Sequence, residues 1–399
     1  MSRIHTDILI SGGGVAGLAA ACAFGTAGFD VICVDPAPVI TDANADGADL
    51  RSTAFLQPAR NTLREAGIWA HLEPFAAPLQ IMRLADAGGV ENEIRKLADF
   101  DASEISDEPF GWNLPNWLLR REMLNRIEAL ENVRFIPQTA LRRVTTRNDH
   151  ALVNLDNGDQ VSARLLIGAD GRNSFVRESL GINVQTKRYG QKALVFVVKH
   201  SQPHDDISTE IHRSGGPFTT VPMPDLDGVH YSSIVWMETG ANASALAALN
   251  DDDFTAAAQD RSCDVLGELT LASRRAIWPI ITQQADHLIG QRSALIAEAA
   301  HVIPPIGAQG LNMSLADIET LLTLCTDHRN TFGSAEMLDQ YQSIRHPDMA
   351  RRIKGVDLLN RASMTDQDTL KSLRLKGLQA LHHVTPLRKT LMKTGLGTG

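Results

Sequence analysis

The 399 residues are 43% hydrophobic and 21% charged, a balance that excludes disorder and can fill one large core or two smaller ones. A formal net charge of −9 argues against nucleic acid as a partner, because phosphate binding needs concentrated Lys and Arg. Cys22, Cys33, Cys263 and Cys325 form no CxxC pair and lie at no metal-ligand spacing, so no metal and reduced thiols in a cytoplasmic protein are expected.

Asp7 to Ile10 begins a strand, followed at once by Ser11-Gly12-Gly13-Gly14-Val15-Ala16-Gly17 and the Ala-rich helical run LAAACAFGTAG. Gly12, Gly14 and Gly17 have GxGxxG spacing, and a second strand, Asp30 to Val34, ends in Asp35. The glycines permit a tight turn and close approach of a pyrophosphate to the helix start at Val15 and Ala16. Asp35 would accept hydrogens from a ribose diol. The alternative is a glycine-rich turn of any α/β protein; strand, helix and acid in the required order weigh against it.

Past Pro36 the loop TDANADGADL forces no element. Arg51 then stands at the entrance of STAFLQPARNTLREAGIWAHL, read as a helix broken at Gly67, with Leu56, Ala59, Leu63 and Ile68 on its apolar face. There it could clamp a phosphate bidentately, or be a solvated surface charge. IMRLADAGGVENEIRKL reads as a hairpin turning near Gly88-Gly89. NLPNWLLRREMLNRIEAL returns to helical period, with Leu124, Ile127 and Leu130 on one face and Arg121 near its beginning.

Strands are expected at Val133–Ile136, Leu141–Thr146, Ala151–Leu155 and Gln160–Ile167, the last running into Gly168-Ala169-Asp170-Gly171-Arg172-Asn173-Ser174. An acid beside glycine at a strand's carboxyl end is where open α/β sheets contact ligands, although a plain helix N-cap would look the same. From Lys192 to about Met237 the texture is that of a second sheet, ALVFVV, STEIHR, FTTVPM and HYSSIVWM between Gly, Pro and Asp turns. A helical stretch from Ala243 to Leu271 follows.

The stretch Ala294 to Asn312, ALIAEAAHVIPPIGAQGLN, opens as a strand with Glu298 at its end and continues as a loop stiffened by Pro304 and Pro305. Gly307 and Gly310 let backbone approach a ligand, and the helix LNMSLADIETLLTL begins behind them. The first amides of that helix, around Leu311 and Asn312, are donors suited to an anion or an electron-rich ring oxygen. His301 is a candidate base, against the commoner role of a packed histidine orienting the loop.

The pieces GGGVAGL, LIGADGRNS and AEAAHVIPPIGAQGLN, in this order, resemble the fingerprints of flavoprotein aromatic hydroxylases of the 4-hydroxybenzoate hydroxylase type. HRSGGPFTTVPMPD and the tail LRLKGLQALHHVTPLRKTLMKTGLG bring the ubiquinone-biosynthesis hydroxylases nearest. That resemblance implies a Rossmann-like α/β FAD-binding domain with an interleaved β-sheet substrate domain and C-terminal helices. It divides the chain into 1–75, 110–180 and 285–345 for FAD, 76–109 and 181–284 for substrate, and 346–399 as a C-terminal helical segment. It further implies non-covalent FAD, reduction by NADH or NADPH, and hydroxylation of a polyprenyl phenol by O2 through a flavin C4a-hydroperoxide.

Carried onto matching positions, Gly12, Gly14, Val15, Ala16 and Gly17 would hold the pyrophosphate, Asp35 the adenosine ribose, and Arg51 and Arg121 the cofactor. Asp170 and Gly171 belong to the fingerprint shared with the nicotinamide nucleotide; Pro305, Gly307, Gln309, Gly310, Leu311 and Asn312 would border the flavin ring. The family usually has Gly-Asp where this chain has Ala297-Glu298, so Glu298 would reach the ribityl hydroxyls through one more methylene.

An aromatic acid would demand a buried cation, and ALVFVV, FTTVPM and SSIVWM contain no Lys or Arg. An isoprenoid double-bond reductase, an aromatic-acid hydroxylase and a non-catalytic scaffold of other quinone-pathway enzymes remain as rival readings. Basic residues among leucines from Thr369 onward raise peripheral contact with an anionic inner-membrane surface, against an ordinary docked helix.

Overall fold

The computed structural model describes residues 3–88, 93–213, 215–364 and 385–396. Arg3–Ser11 is the central strand of a largely parallel sheet, between Val31–Asp35 on one side and Gln160–Gly168 on the other. Val133–Pro137 extends the first side and Ser293–Leu295 the second, both in parallel. The inner strands are continuous apolar runs, Ile8 to Ile10, Val31 to Val34 and Leu165 to Ile167, all buried; this is the composition of a sheet covered on both faces. Helix Val15–Thr26 lies against it and is buried without a break from Gly17 to Gly25. A helix so small and apolar along its length can only be an interior one.

The second sheet is mainly antiparallel and runs from His301–Val302 through Ala276–Ala285, Val184–His200, Val229–Thr239, Pro217–Leu226, Ile207–His212 and Ile81–Asp86 to Lys96–Asp101. Alternation gives it two different faces. Leu194, Phe196, Ile211, Phe218, Ile234 and Trp236 point one way and pack with Phe254 and Ala258 of the covering helix Asp251–Ser262. Ala193 and Met237 point the other way and meet Ile280, Ile306 and Val356. The strand His301–Val302, within the glycine-proline stretch, therefore pairs with this sheet while its upstream neighbour Ser293–Leu295 pairs with the parallel one.

The architecture is the expected α/β one with an interleaved β layer, but several local expectations need correction. Arg51 does not enter a helix: Ser52–Leu56 is a strand, and the helix begins at Gln57. That strand forms a three-stranded sheet with Ala77–Leu79 and Gly111–Pro115, an element absent from the sequence reading. In Asn116–Glu128 the buried apolar residues are Leu118, Leu119, Met123 and Ile127, while Leu124 and, beyond the helix, Leu130 are half-buried.

The stretch 243–271 is two helices, Gly240–Ala247 and Asp251–Ser262, and a strand, Leu269–Leu271. The strand before Glu298 ends at Leu295, and the following helix starts at Gln309 rather than Leu311. Gly89 of the expected hairpin turn and the leucines and cations of 365–384 lie outside the described residues.

Candidate functional site

In a parallel sheet the loops at the carboxyl ends of the strands are placed to meet ligands. Register brings those ends level: Ser11 lies opposite both Val34 and Gly168, and Gly168 opposite Leu295. The segments carrying Gly12, Asp35, Asp170 and Glu298 consequently leave the sheet along one edge.

The three glycines of the first turn are there for different reasons. A Cβ on Gly12 would stand 2.3 Å from the Ala169 carbonyl oxygen and one on Gly17 1.9 Å from that of Gly12, whereas one on Gly14 would meet nothing within 4 Å. Packing thus requires the first and third, and the second borders open space. Gly14 is the N-cap of helix Val15–Thr26, which has no side-chain cap and no acid in its first turn. Its leading amides have no side-chain acceptor, at the positive end of the helix dipole. Asp35 faces this turn, accepting hydrogen bonds from the amides of Gly13 and of Ala37, the latter at 2.7 Å.

At the second loop the Asp170 carboxylate accepts from the Ser174 hydroxyl, from the Val176 amide at 3.0 Å and from the Ser11 hydroxyl at 3.4 Å. Burial pushes its carboxyl above the usual range in spite of these bonds. Gly171 takes a φ of +80°. Buried Arg177 donates to the Ala299 and Arg172 carbonyls, each at 2.9 Å, and so ties the second loop to the third.

The third loop turns at Ala297, whose φ of +54° is left-handed. A 3₁₀ turn, Ala297–Ala299, then leaves Glu298 exposed between two buried alanines. Its carboxylate lies within the field of Arg51. Arg51 itself forks onto Asp49, at 2.8 and 2.7 Å, and lies 4.8 Å over the Trp278 ring. Arg172 approaches the same ring at 5.8 Å. Arg121 is placed differently: it donates to Glu122 at 2.7 Å and lies over the rings of Trp117 and Phe75.

Beyond the prolines, Pro305 is exposed, and neither Gly307 nor Gly310 has any atom where a side chain would go. Helix Gln309–Asp327 starts behind a left-handed Ala308 with no side-chain cap. Gln309 donates to the Gly307 carbonyl at 3.0 Å and accepts from Arg352 at 2.8 Å. Leu311 is half-buried. The Asn312 side chain accepts from the Leu56 amide at 2.8 Å and donates to the carbonyls of Ala54 and Ala308, at 2.7 and 2.5 Å, pinning the helix to strand Ser52–Leu56.

His301 is only 2% exposed, its Nε2 bonded to Asp317 at 2.7 Å. Asp317 and its second partner Arg345 escaped the sequence reading, as did Asp49 and Trp278. No motif signals them: Asp317, Arg345 and Trp278 meet their partners only in the folded chain, and Asp49 meets Arg51 two residues away in a loop without periodicity.

Two uncapped helix starts, bare glycines at Gly14, Gly307 and Gly310, and an outward carboxylate at Glu298 together fit a dinucleotide lying along the edge with a ring system at its far end. That defines a Rossmann-type flavoprotein. Residues 5–356 match the family described as FAD binding domain, and the chain belongs to that family. It is 31% identical over 398 residues to ubiquinone hydroxylase UbiL of Rhodospirillum rubrum, covering 98% of this chain and 90% of that protein. It is 27% identical over 405 residues to the 3-demethoxyubiquinol 3-hydroxylase of Escherichia coli, covering all of both.

Among solved structures, PqsL, described as a probable FAD-dependent monooxygenase from Pseudomonas aeruginosa, superposes with a TM-score of 0.78 at 22% identity, over 94% of this chain and all of that one. The p-nitrophenol 4-monooxygenase PnpA of Pseudomonas putida gives 0.80 at 16% identity, over 100% and 99%. These two share the fold. The protein is a flavin-dependent monooxygenase that binds FAD.

Proposed function

We propose that the protein hydroxylates the ring of a polyprenylated phenol on the route to ubiquinone, taking electrons from NADH or NADPH and oxygen from O2. FAD, once bound and reduced, supplies the oxygen-activating chemistry. The chain's own residues position it: the Gly12–Gly17 turn and the amides behind Gly14 take the pyrophosphate, Asp35 the adenosine ribose, and Glu298 the ribityl hydroxyls. The Pro305–Asn312 loop and helix start face the ring, keeping water away and offering amides to developing negative charge.

Arg51 would exchange Asp49 for a phosphate, and Arg121 would approach the cofactor only by leaving Glu122. Segments 1–75, 110–180 and 285–345 would then form the FAD domain, 76–109 and 181–284 the substrate domain, and 346–399 the C-terminal segment.

One observation carries the substrate assignment: the face of the second sheet beneath the loop is apolar where they meet, with Ala193, Met237 and Ile280 packed on Ile306. Of the cations in and beside the second sheet's strands, Lys192 bonds Ser244 at 2.7 Å and Arg213 bonds Asp260 at 2.8 Å, while Arg51 and Arg172 lie over the Trp278 ring. An isoprenoid chain gains about 0.8 kcal/mol per methylene buried against such apolar groups, whereas a carboxylate would have to draw Arg51 or Arg172 away from the Trp278 ring. The UbiL and Escherichia coli relatives, named for ubiquinone chemistry, support the same pathway.

NAD(P)H-dependent oxygen consumption by the FAD-loaded enzyme tests it. Shortening the prenyl chain should raise KM, and 4-hydroxybenzoate should not be turned over. Equal turnover of hydroxybenzoate and the prenylated phenol would overturn the assignment.

A further inference from the structure

The Pro305 loop is gripped from beneath by a charged cluster to which the flavin chemistry assigns nothing. At its centre is Asp317, on helix Gln309–Asp327, with its side chain 1% exposed. One oxygen, Oδ2, accepts from the Ala297 amide at 3.1 Å and meets His301 Nε2 at 2.7 Å; the other, Oδ1, accepts from Arg345 Nε at 2.9 Å. Burial alone would push this carboxyl up, yet His301 and Arg345 outweigh it and hold it below the usual range. Asp317 is therefore ionised, and each of its oxygens is engaged by a donor from a different part of the chain.

What those donors belong to gives the cluster its meaning. Ala297 is the left-handed residue of the third loop, a conformation that costs a non-glycine residue about 1 kcal/mol and needs support from its surroundings. An amide bonded to a buried carboxylate is such support. The next residue along the chain is Glu298, which that turn aims outward. His301 holds the loop four residues further on, and Arg345 brings in helix Ala335–Met364, donating also to Asp348 at 2.8 Å. Asp348 accepts from Arg352, which in turn donates to Gln309 at the other end of the loop.

The geometry points to Asp317 as the positioning residue of the flavin loop: through the Ala297 amide and His301 it sets the turn that presents Glu298 to the cofactor. This rests on the reading of Glu298 as the acceptor for the ribityl hydroxyls. Asp317 does not itself reach the edge of the sheet.

The test is a double-mutant cycle read as FAD dissociation constants of the apoprotein, by flavin fluorescence quenching, with Asp317→Asn, Glu298→Gln and the pair. Each single change should weaken FAD about tenfold, and the double variant should be scarcely weaker than the worse single one, because Asp317 acts by placing Glu298. Should Asp317→Asn not fold, His301→Gln takes its place in the same cycle. A general loosening of the fold would lower the apoprotein Tm while the two effects on FAD multiplied, and that outcome overturns the inference. So does an unchanged dissociation constant in Asp317→Asn beside a weakened one in Glu298→Gln. If Glu298→Gln binds FAD as the native chain does, the Glu298 reading itself fails and takes the inference with it.

Discussion

At the scale of single residues, two glycines in one motif separate structure from binding. Gly17 has no room for a side chain, since its Cβ would overlap the Gly12 carbonyl at 1.9 Å, and both segments are buried. Overpacking of this kind typically costs about 1 to 3 kcal/mol, so Gly17→Ala should lower the Tm of the protein with or without FAD. Gly14 has an ordinary φ of −70° and open space beside it. Gly14→Ala should leave the apoprotein Tm within a degree or two and act only on FAD affinity, where the added methyl meets the pyrophosphate. Calorimetry of apo and FAD-loaded forms distinguishes the two; equal FAD affinity for Gly14→Ala and the native chain would remove the pyrophosphate from that turn. The spacing of these glycines was legible in the sequence because their jobs are local. The partners of Arg51 were not: Asp49 lies two residues away in a loop with no periodicity, and Trp278 is 227 positions along the chain.

At the scale of elements, the strands of the first sheet stand where their apolar runs place them, Ala151–Leu155 among them, whereas the helical stretch from Ala243 to Leu271 breaks into three elements and the small third sheet has no sequence signal. The five-, three- and five-residue strands Ser52–Leu56, Ala77–Leu79 and Gly111–Pro115 are too brief to show alternation, and pairing alone defines them. Asn312 reads as a ring-bordering residue from its motif, but its side chain acts as extra backbone for Ser52–Leu56, a role only a paired strand reveals. Asp317 is the equivalent between helices, joining two of them to the flavin loop. Its carboxyl is held below the ordinary value of about 3.9, so it contributes stability that is complete above that value and lost as pH falls through the lower, folded one. Asp317→Asn lacks this contribution. Urea unfolding should therefore show the native chain more stable than Asp317→Asn at pH 7, with the gap closing at a pH well below the ordinary carboxylate value. A gap that is the same at both pH values would mean the carboxylate gains nothing from His301 and Arg345.

At the scale of the whole molecule, charge is distributed against the trend of the composition. The chain carries a formal −9, yet the outward side of helix Ala335–Met364 from Ser343 to Ala362 exposes Arg351, Lys354 and Arg361 and no acid. Asp348 and Asp357 lie beneath these cations, half-buried. On the same side Leu358 is 69% exposed, Leu359 57% and Ile344 51%, high for large apolar residues with no partner of their own. No helix among the described residues is long and apolar enough to cross a membrane. Contact with an anionic bilayer surface, which the proposed polyprenylated substrate would favour because it resides in lipid, would use this face together with the basic tail. Each cation near such a surface is worth about 1 kcal/mol, less for Arg351 and Arg361, whose charges Asp348 and Asp357 partly offset, and moderate salt screens the repulsion of the distant net charge. Sedimentation with phosphatidylglycerol vesicles should be strong at low salt and weak in 0.5 M salt, and weak throughout with neutral phosphatidylcholine. The pair Leu358→Asp and Leu359→Asp should lower it several-fold while leaving FAD content and turnover of a detergent-dispersed substrate as they were, since neither side chain packs inward. Equal sedimentation with neutral and anionic vesicles would show that the cations do not direct the contact, and an unaffected double variant would move the contact away from this helix.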